Sequence, residues 1–191
     1  MREPRVLVLL DRDGTINRRI PGGYVTQWAE FVFLPGVLTA LAGLTDAGVA
    51  LAVATNQAAV GKDLVTTAEL DAIHRRMTRA IEEAGGQLAG VYVCPHLSEA
   101  GCACRKPRPG LLERAAQELG YAPNEIFMVG DSPTDVEAGR RAGCRTIRLA
   151  AEGADDPAGD AAPADHVVPD LAAAANVILA MRRAGLPPAA R

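Results

Sequence analysis

Val6-Leu7-Val8-Leu9-Leu10-Asp11-Arg12-Asp13-Gly14-Thr15-Ile16-Asn17 decides how this chain is read. An unbroken apolar run between charged residues has the character of a strand buried on both faces of a parallel sheet. Such a strand delivers Asp11 and Asp13 to its C-terminal edge, where open α/β sheets gather their ligands. Residues i and i+2 of a strand share a face, so unless the backbone bends, both carboxylates point the same way. Gly14 supplies the freedom for a sharp turn directly after them. Two like charges this close repel, which invites a cation between them or a raised pKa on one.

The rest of the chain continues the alternation. Apolar spacing predicts a helix over 36–47, with Val37, Leu38, Leu41 and Leu44 on one face and Gly48 in the terminating position. A buried strand is expected over 49–54. Thr66 and Glu69 form a capping box that opens a helix lined by Leu70, Ile73, Met77 and Ile81 and ended by Gly85. Further strands are expected over 88–94, 126–129 and 145–149. Between them lie a helix from Pro109 to Gly120 and one with Ser132 and Pro133 at its start, ending near Gly143. Residues 151–165 read as a surface loop, 166–168 as a short edge strand, 171–184 as a closing helix, and about 185–191 as a frayed tail. No repeat or linker divides the chain, so one domain over 1–191 is expected, α/β in class, with a parallel sheet covered on both faces.

Composition narrows the function classes. A chain of 191 residues with 49% apolar and 23% charged residues suits a soluble globular domain with a real core. The formal charge is −3 and no basic run occurs, which argues against nucleic acid as a partner. No stretch approaches a membrane span, and no secretory signal is evident, so a cytoplasmic location is expected.

The polar punctuation falls after the strands. Asp11 and Asp13 follow the first, Thr55-Asn56-Gln57 the second, Cys94-Pro95-His96 the third, and Gly130-Asp131-Ser132-Pro133-Thr134-Asp135 the fourth, with Cys104-Arg105-Lys106-Pro107 in between. All of it converges on one edge of the sheet, as a single active site requires. The set suits phosphoryl transfer. Asp11 is the candidate nucleophile, forming an acyl phosphate, and Asp13 the acid and base that protonates the leaving oxygen and then deprotonates water. Lys106 and Thr55 offer an ammonium and a hydroxyl to the phosphate. Asp11, Asp131 and the main-chain carbonyl of Asp13 form an oxygen set suited to Mg²⁺. Asp135, one helical turn past Asp131, is placed to anchor Lys106 or a metal-bound water.

Cysteine spacing carries a second signal. Cys94, His96, Cys102 and Cys104 read C-x-H-x5-C-x-C, three thiolates and an imidazole suited to a closed, structural Zn²⁺ site. The alternative, a disulfide, is disfavoured by the histidine within the cluster and by a reducing compartment. Such a metal stiffens the loop of residues 94–104 just before Arg105 and Lys106, and leaves Arg105 to grip a second anionic group. Cys144 reads as a small buried residue, and His74 and His166 as structural or exposed.

Together, Asp11-Arg12-Asp13-Gly14-Thr15-Ile16-Asn17, Thr55-Asn56-Gln57, Cys104-Arg105-Lys106-Pro107 and Gly130-Asp131 with Asp135 resemble the four motifs of the haloacid dehalogenase superfamily. The resemblance covers about residues 5 to 150. It implies a Rossmann-like three-layer sandwich with a mostly parallel sheet, a minimal cap, an aspartyl-phosphate intermediate and dependence on Mg²⁺. The cysteine loop is similar to the zinc-loop branch, which includes heptose-bisphosphate and histidinol-phosphate phosphatases. Gly23-Tyr24-Val25, Phe33-Leu34-Pro35-Gly36 and Arg105-Lys106-Pro107-Arg108-Pro109-Gly110 resemble the heptose enzymes. Ala58 and Ala59 depart from their usual Ser-Gly, and the five residues between His96 and Cys102 match the shorter loop of the histidinol-phosphate enzymes. The implied activity is removal of the 7-phosphate from a heptose 1,7-bisphosphate, with histidinol phosphate or another small sugar phosphate as the alternative.

A small phosphorylated substrate is expected in contact with Asn56, Gln57, Arg105 and Tyr24. Arg18, Arg19, Lys62 and Arg108 are further candidate cations, and Trp28 a candidate wall of the cleft. A monomer is the default. Two other classes use part of this inventory. A phosphorylatable receiver domain has clustered acids, a Thr and a Lys, but its acceptor lies mid-chain with no acid two residues on. A zinc-stabilised interaction module leaves Asp11 and Lys106 idle, so Asp11→Asn changes nothing in it.

Overall fold

The opening apolar run becomes β1 (Leu7–Leu10), buried along its whole length at the centre of a six-stranded sheet. The computed structural model describes residues 5–150 and 163–185. After β1 come β2 (Ala50–Asn56), β3 (Leu88–Cys94), β4 (Ile126–Gly130), β5 (Arg145–Leu149) and β6 (His166–Val168). Their order is β3-β2-β1-β4-β5-β6, and every strand pairing among the described residues is parallel. The chain runs outward from β1 through β2 to β3, returns past β1 to β4, and then runs the other way. The reversal falls between β1 and β4, whose registers match Leu10 to Val129. A crevice opens at the carboxyl ends of strands at such a switch point.

Helices cover both faces. They are α1 (Val37–Asp46), α2 (Ala58–Gly61), α3 (Thr67–Glu83), α4 (Gly110–Leu119), α5 (Pro133–Arg141) and α6 (Leu171–Arg183). Alternation along β1 divides the core. Val8 and Leu10 pack with Val37 and Leu41 of α1, Ile73 and Met77 of α3, and Ala174 and Ile178 of α6. Leu7 and Leu9 pack with Leu111, Leu112 and Ala115 of α4 and Ala138 of α5. The Thr66/Glu69 capping box is formed, with Thr66 Oγ1 accepting from Glu69 N at 3.2 Å and Glu69 Oε2 accepting from Thr66 N at 2.8 Å.

Element ends move by a residue or two from the sequence-based expectation, as fraying ends do. The four-residue α2 has too few positions to show a helical period and is absent from that expectation. Trp28, expected to wall the cleft, instead stacks on Phe31 with ring centroids 5.0 Å apart and meets Phe33 edge-on. Most of the expected surface loop, residues 151–162, and the expected tail from 186 on lie outside the described residues. No helix among the described residues is long and apolar enough to cross a membrane.

One polar side chain lies on the buried face of α3. His74 is 5% exposed, among Leu70, Ile73, Met77 and Ile81. Burial, together with the nearby positive charge of Arg12, pushes its pKa down from 6.5 to about 4. Between those values the unfolded chain takes up a proton that the folded chain refuses. Stability is therefore fully present above pH 6.5 and falls as the pH drops towards 4. Urea denaturation at pH 7 and pH 4.5 should show wild type losing roughly 2 to 3 kcal/mol more than His74→Gln, which has no titrating ring. Equal losses in both proteins would contradict this account.

Candidate active site

Asp11, Asp13, Tyr24, Asn56, Arg105, Lys106 and Asp135 line one cleft of about 440 Å³ at the carboxyl ends of β1, β2 and β4. The strand geometry stops at Leu10. Asp11 N still donates to Val129 O of β4 at 2.9 Å, and the carbonyl of Arg12 then accepts from the amides of Thr15, Ile16 and Asn17 at 3.2, 2.8 and 3.1 Å. Gly14, at φ +93°, closes this turn. A Cβ at Gly14 would overlap the Asp131 carboxylate, and one at Gly130 would overlap that of Asp135. Both glycines thus make room for an acid from the β4–α5 junction.

The two acids of the opening motif do not share a partner. Asp11 Oδ1 accepts from Lys106 Nζ at 2.7 Å. The same ammonium donates to Ala54 O at 2.7 Å and pairs with Asp135 Oδ1 at 2.6 Å, and Lys106 is 3% exposed. Burial disfavours its charge, but Asp11 and Asp135 outweigh that cost and raise its pKa above the usual lysine value. Asn56 braces the lysine from behind: its Nδ2 donates to Lys106 O at 3.0 Å and its Oδ1 accepts from Lys106 N at 3.1 Å. Asp135 also accepts from Ser132 N at 3.1 Å, so it caps α5 while it anchors the lysine.

Asp13 turns elsewhere. Both of its oxygens accept from Arg12 Nη2, at 2.9 and 2.8 Å; Asn17 Nδ2 donates to Oδ1 and Gln57 Nε2 to Oδ2, each at 2.9 Å. Burial opposes ionisation of Asp13, but the Arg12 charge and these donors prevail and hold its carboxyl below the usual range. A cation between the two acids or a raised pKa on one was expected; Asp13 meets the cation, because Arg12 folds inward, and its shift is downward. Arg12 and Asn17 are fully buried, and sequence reasoning assigned neither a part. A cation placed between two acids was the signal available for Arg12.

The remaining expected residues divide between the cleft and its support. Thr55 and Gln57 are buried, with Gln57 Nε2 also donating to Thr55 Oγ1 at 2.9 Å, so the glutamine links Asp13 to Thr55 and is not on the cleft wall. Tyr24 stands beside Lys62, whose ammonium is 5.2 Å from the ring centroid, and both line the cleft. Arg105 lines it too, while its Nη1 donates to His96 O at 3.1 Å. Arg108 braces the cysteine loop through Cys102 O at 2.7 Å. Arg18 is not among the residues of the cleft wall, but Arg19 is. Arg19 Nη2 reaches Asp131 Oδ1 at 2.8 Å and Asp13 O at 3.3 Å. Burial pushes the Asp131 carboxyl up to about 6, against the pull of Arg19.

Two groups of side chains suit metals. Carboxylate oxygens of Asp11, Asp131 and Asp135 lie within 4.8 Å of one another. Asp135 is committed to Lys106 and Ser132, which leaves Asp11, Asp131 and the Asp13 carbonyl. Arg19 already bridges the last two, so these oxygens face a common point that favours positive charge, and they are the hard donors Mg²⁺ takes. The second group is Cys94, His96, Cys102 and Cys104. Its Sγ–Sγ distances are 3.7, 3.3 and 3.6 Å, and His96 Nδ1 lies 3.6 and 3.3 Å from Cys94 and Cys104 Sγ. A tetrahedron with Zn–S bonds of about 2.3 Å has edges of about 3.8 Å, so the donor set fits Zn²⁺. Cys144 is buried in the core under α4 and α5, apart from this group.

Comparison with known proteins agrees with this geometry. A family model described as HAD-hydrolase-like matches residues 103–174. The D-glycero-β-D-manno-heptose-1,7-bisphosphate 7-phosphatase of Pseudomonas aeruginosa is 35% identical, over 92% of this chain and 98% of that one. The D-glycero-α-D-manno-heptose-1,7-bisphosphate 7-phosphatase of Mycobacterium tuberculosis is 40% identical, over 68% of this chain and 69% of that one. Among solved structures, the D,D-heptose 1,7-bisphosphate phosphatase of Bordetella bronchiseptica, complexed with magnesium and phosphate, superposes with a TM-score of 0.85 at 37% identity, covering 92% of this chain and 98% of that one. The chain belongs to the haloacid dehalogenase superfamily, in the family of the heptose-1,7-bisphosphate 7-phosphatases.

Proposed function

We propose that this chain is a Mg²⁺-dependent phosphatase that removes the 7-phosphate of D-glycero-D-manno-heptose 1,7-bisphosphate through an aspartyl phosphate on Asp11. One observation carries the reading. The Asp11–Lys106–Asp135 group stands at the switch point of the sheet, and Arg19, Lys62 and Arg105 add further positive charge around the same cleft. One phosphate is met by the reacting group, and the second by the outer cations.

In the first half-reaction the Asp11 carboxylate attacks phosphorus. An O–P bond forms as the bond from phosphorus to the sugar oxygen breaks, and Asp13 gives a proton to that departing oxygen. The free cleft holds Asp13 ionised; the negative charge of the incoming phosphate favours its uptake of the proton it will pass on. In the second half-reaction Asp13 takes a proton from water, the water oxygen attacks the acyl phosphate, inorganic phosphate leaves and Asp11 is restored. Lys106 offsets charge on the phosphate oxygens. Thr55 accepts from Gln57, which leaves its own O–H free to donate to the phosphate. Mg²⁺, held by Asp11, Asp131 and the Asp13 carbonyl, supplies charge that offsets repulsion between carboxylate and phosphate.

Zn²⁺ on Cys94, His96, Cys102 and Cys104 takes a structural part, holding the loop that presents Arg105 and Lys106. Reduced thiols suit a cytoplasmic location. We further propose that residues 1–191 act as one domain and as a monomer, with a small sugar phosphate as the partner.

Asp11→Asn should lower turnover at least about a thousandfold with little change in melting temperature. Unaltered turnover would remove Asp11 from the chemistry. Phosphate release from the two heptose 1,7-bisphosphate anomers should exceed that from fructose 1,6-bisphosphate and histidinol phosphate; preference for histidinol phosphate would overturn the substrate. Removing zinc with a chelator should lower the melting temperature and activity together, because metal binding adds to folding free energy. An unchanged melting curve would count against that site. Gly14→Ala displaces Asp131, so calorimetric titration should show Mg²⁺ affinity weakened by about tenfold or more.

A further inference from the structure

His74 and Arg12 have no part in the reaction as written, yet they form a continuous path from α3 to the cleft. His74 Nε2 lies 3.0 Å from Arg12 Nη1. The other terminal nitrogen, Arg12 Nη2, holds both oxygens of Asp13. The Phe31 ring centroid is 6.0 Å from the guanidinium carbon, which places an aromatic ring beside this path. A guanidinium can only donate, so the imidazole accepts at Nε2, in its neutral form with the proton on Nδ1. No carboxylate other than Asp13 pairs with Arg12 among the described residues. The orientation of this buried fork therefore depends on the acceptor at one end and the acid at the other.

We propose that His74 is a positioning residue: by accepting from Arg12 Nη1 it sets the plane of the guanidinium whose Nη2 places the Asp13 carboxyl. The inference rests on the reading of Asp13 as acid and base. It makes α3, a helix that contributes no side chain to the cleft wall, responsible for where proton transfer occurs. A merely structural role for His74 leaves the chemistry alone and changes stability only.

The two roles separate by leaving group. An alkoxide departing from a sugar phosphate needs a proton, whereas p-nitrophenolate leaves without one. Because kcat/KM reports steps up to formation of the aspartyl phosphate, misplacing Asp13 should lower it selectively for the sugar phosphate. His74→Leu, which removes the acceptor, should lower kcat/KM for heptose 1,7-bisphosphate by at least about tenfold, and that for p-nitrophenyl phosphate by no more than about threefold. His74→Gln places an amide oxygen where Nε2 stands and should restore the sugar-phosphate value to within about threefold of wild type. If His74→Leu fails to fold, His74→Asn, whose acceptor is drawn back by one methylene, takes its place with the same readout. Equal losses on both substrates, no loss on either, or failure of glutamine to restore activity would overturn the inference while leaving the phosphatase reading intact. Wild-type protein that releases phosphate from neither ester would overturn both.

Discussion

A buried ammonium held between two carboxylates organises this molecule. Lys106 has almost no exposure, and an uncompensated charge in that position would cost several kcal/mol. Its partners come from separate parts of the chain: Asp11 after β1, the Ala54 carbonyl of β2, and Asp135 in the first turn of α5. The ion pairs form only if the strand order, the strand register and the placement of the loop before Lys106 are all correct. A folded state with the sheet in any other order would strand the charge. One buried ammonium thus ties together the edges of β1, β2 and β4.

The loop that delivers Lys106 has little regular structure of its own. Its placement relies on Asn56, which pairs with both backbone groups of Lys106, and on the cluster of three thiols and an imidazole just upstream. Arg105 and Arg108 bind carbonyls of the same loop. A rigid support matters because a displacement of about 1 Å at a reacting group costs heavily in rate. The cysteine cluster and the lysine lie on one loop, which these hydrogen bonds hold in place.

The two acids of the opening motif, one residue apart, meet different cations. Asp11 faces a lysine inside the cleft, while Asp13 is turned to Arg12 and two amides. Gly14 and Gly130 matter by what they lack, since a methyl group at either would collide with Asp131 or Asp135. Crowding of four carboxylates into one cleft is tolerated through Lys106, Arg12 and Arg19, each holding at least one of them.

Much of this was legible in the linear chain. The buried run before Asp11, the Thr66/Glu69 cap and the C-x-H-x5-C-x-C spacing are local patterns, and local patterns depend on neighbours a few residues apart. They determined the α/β class, the strand ends that gather the polar residues, and the residue types of the two side-chain groups whose donors suit metals. What tertiary structure alone decided is the direction of each side chain once it arrives. Gln57 supports and does not line the cleft, Trp28 packs on Phe31, Asp13 is held ionised, and His74 lies beneath Arg12 although 62 residues separate them. Contacts across that distance are set by the packing of α3 against the sheet, where burial and hydrogen-bond satisfaction are settled only after the chain has closed on itself.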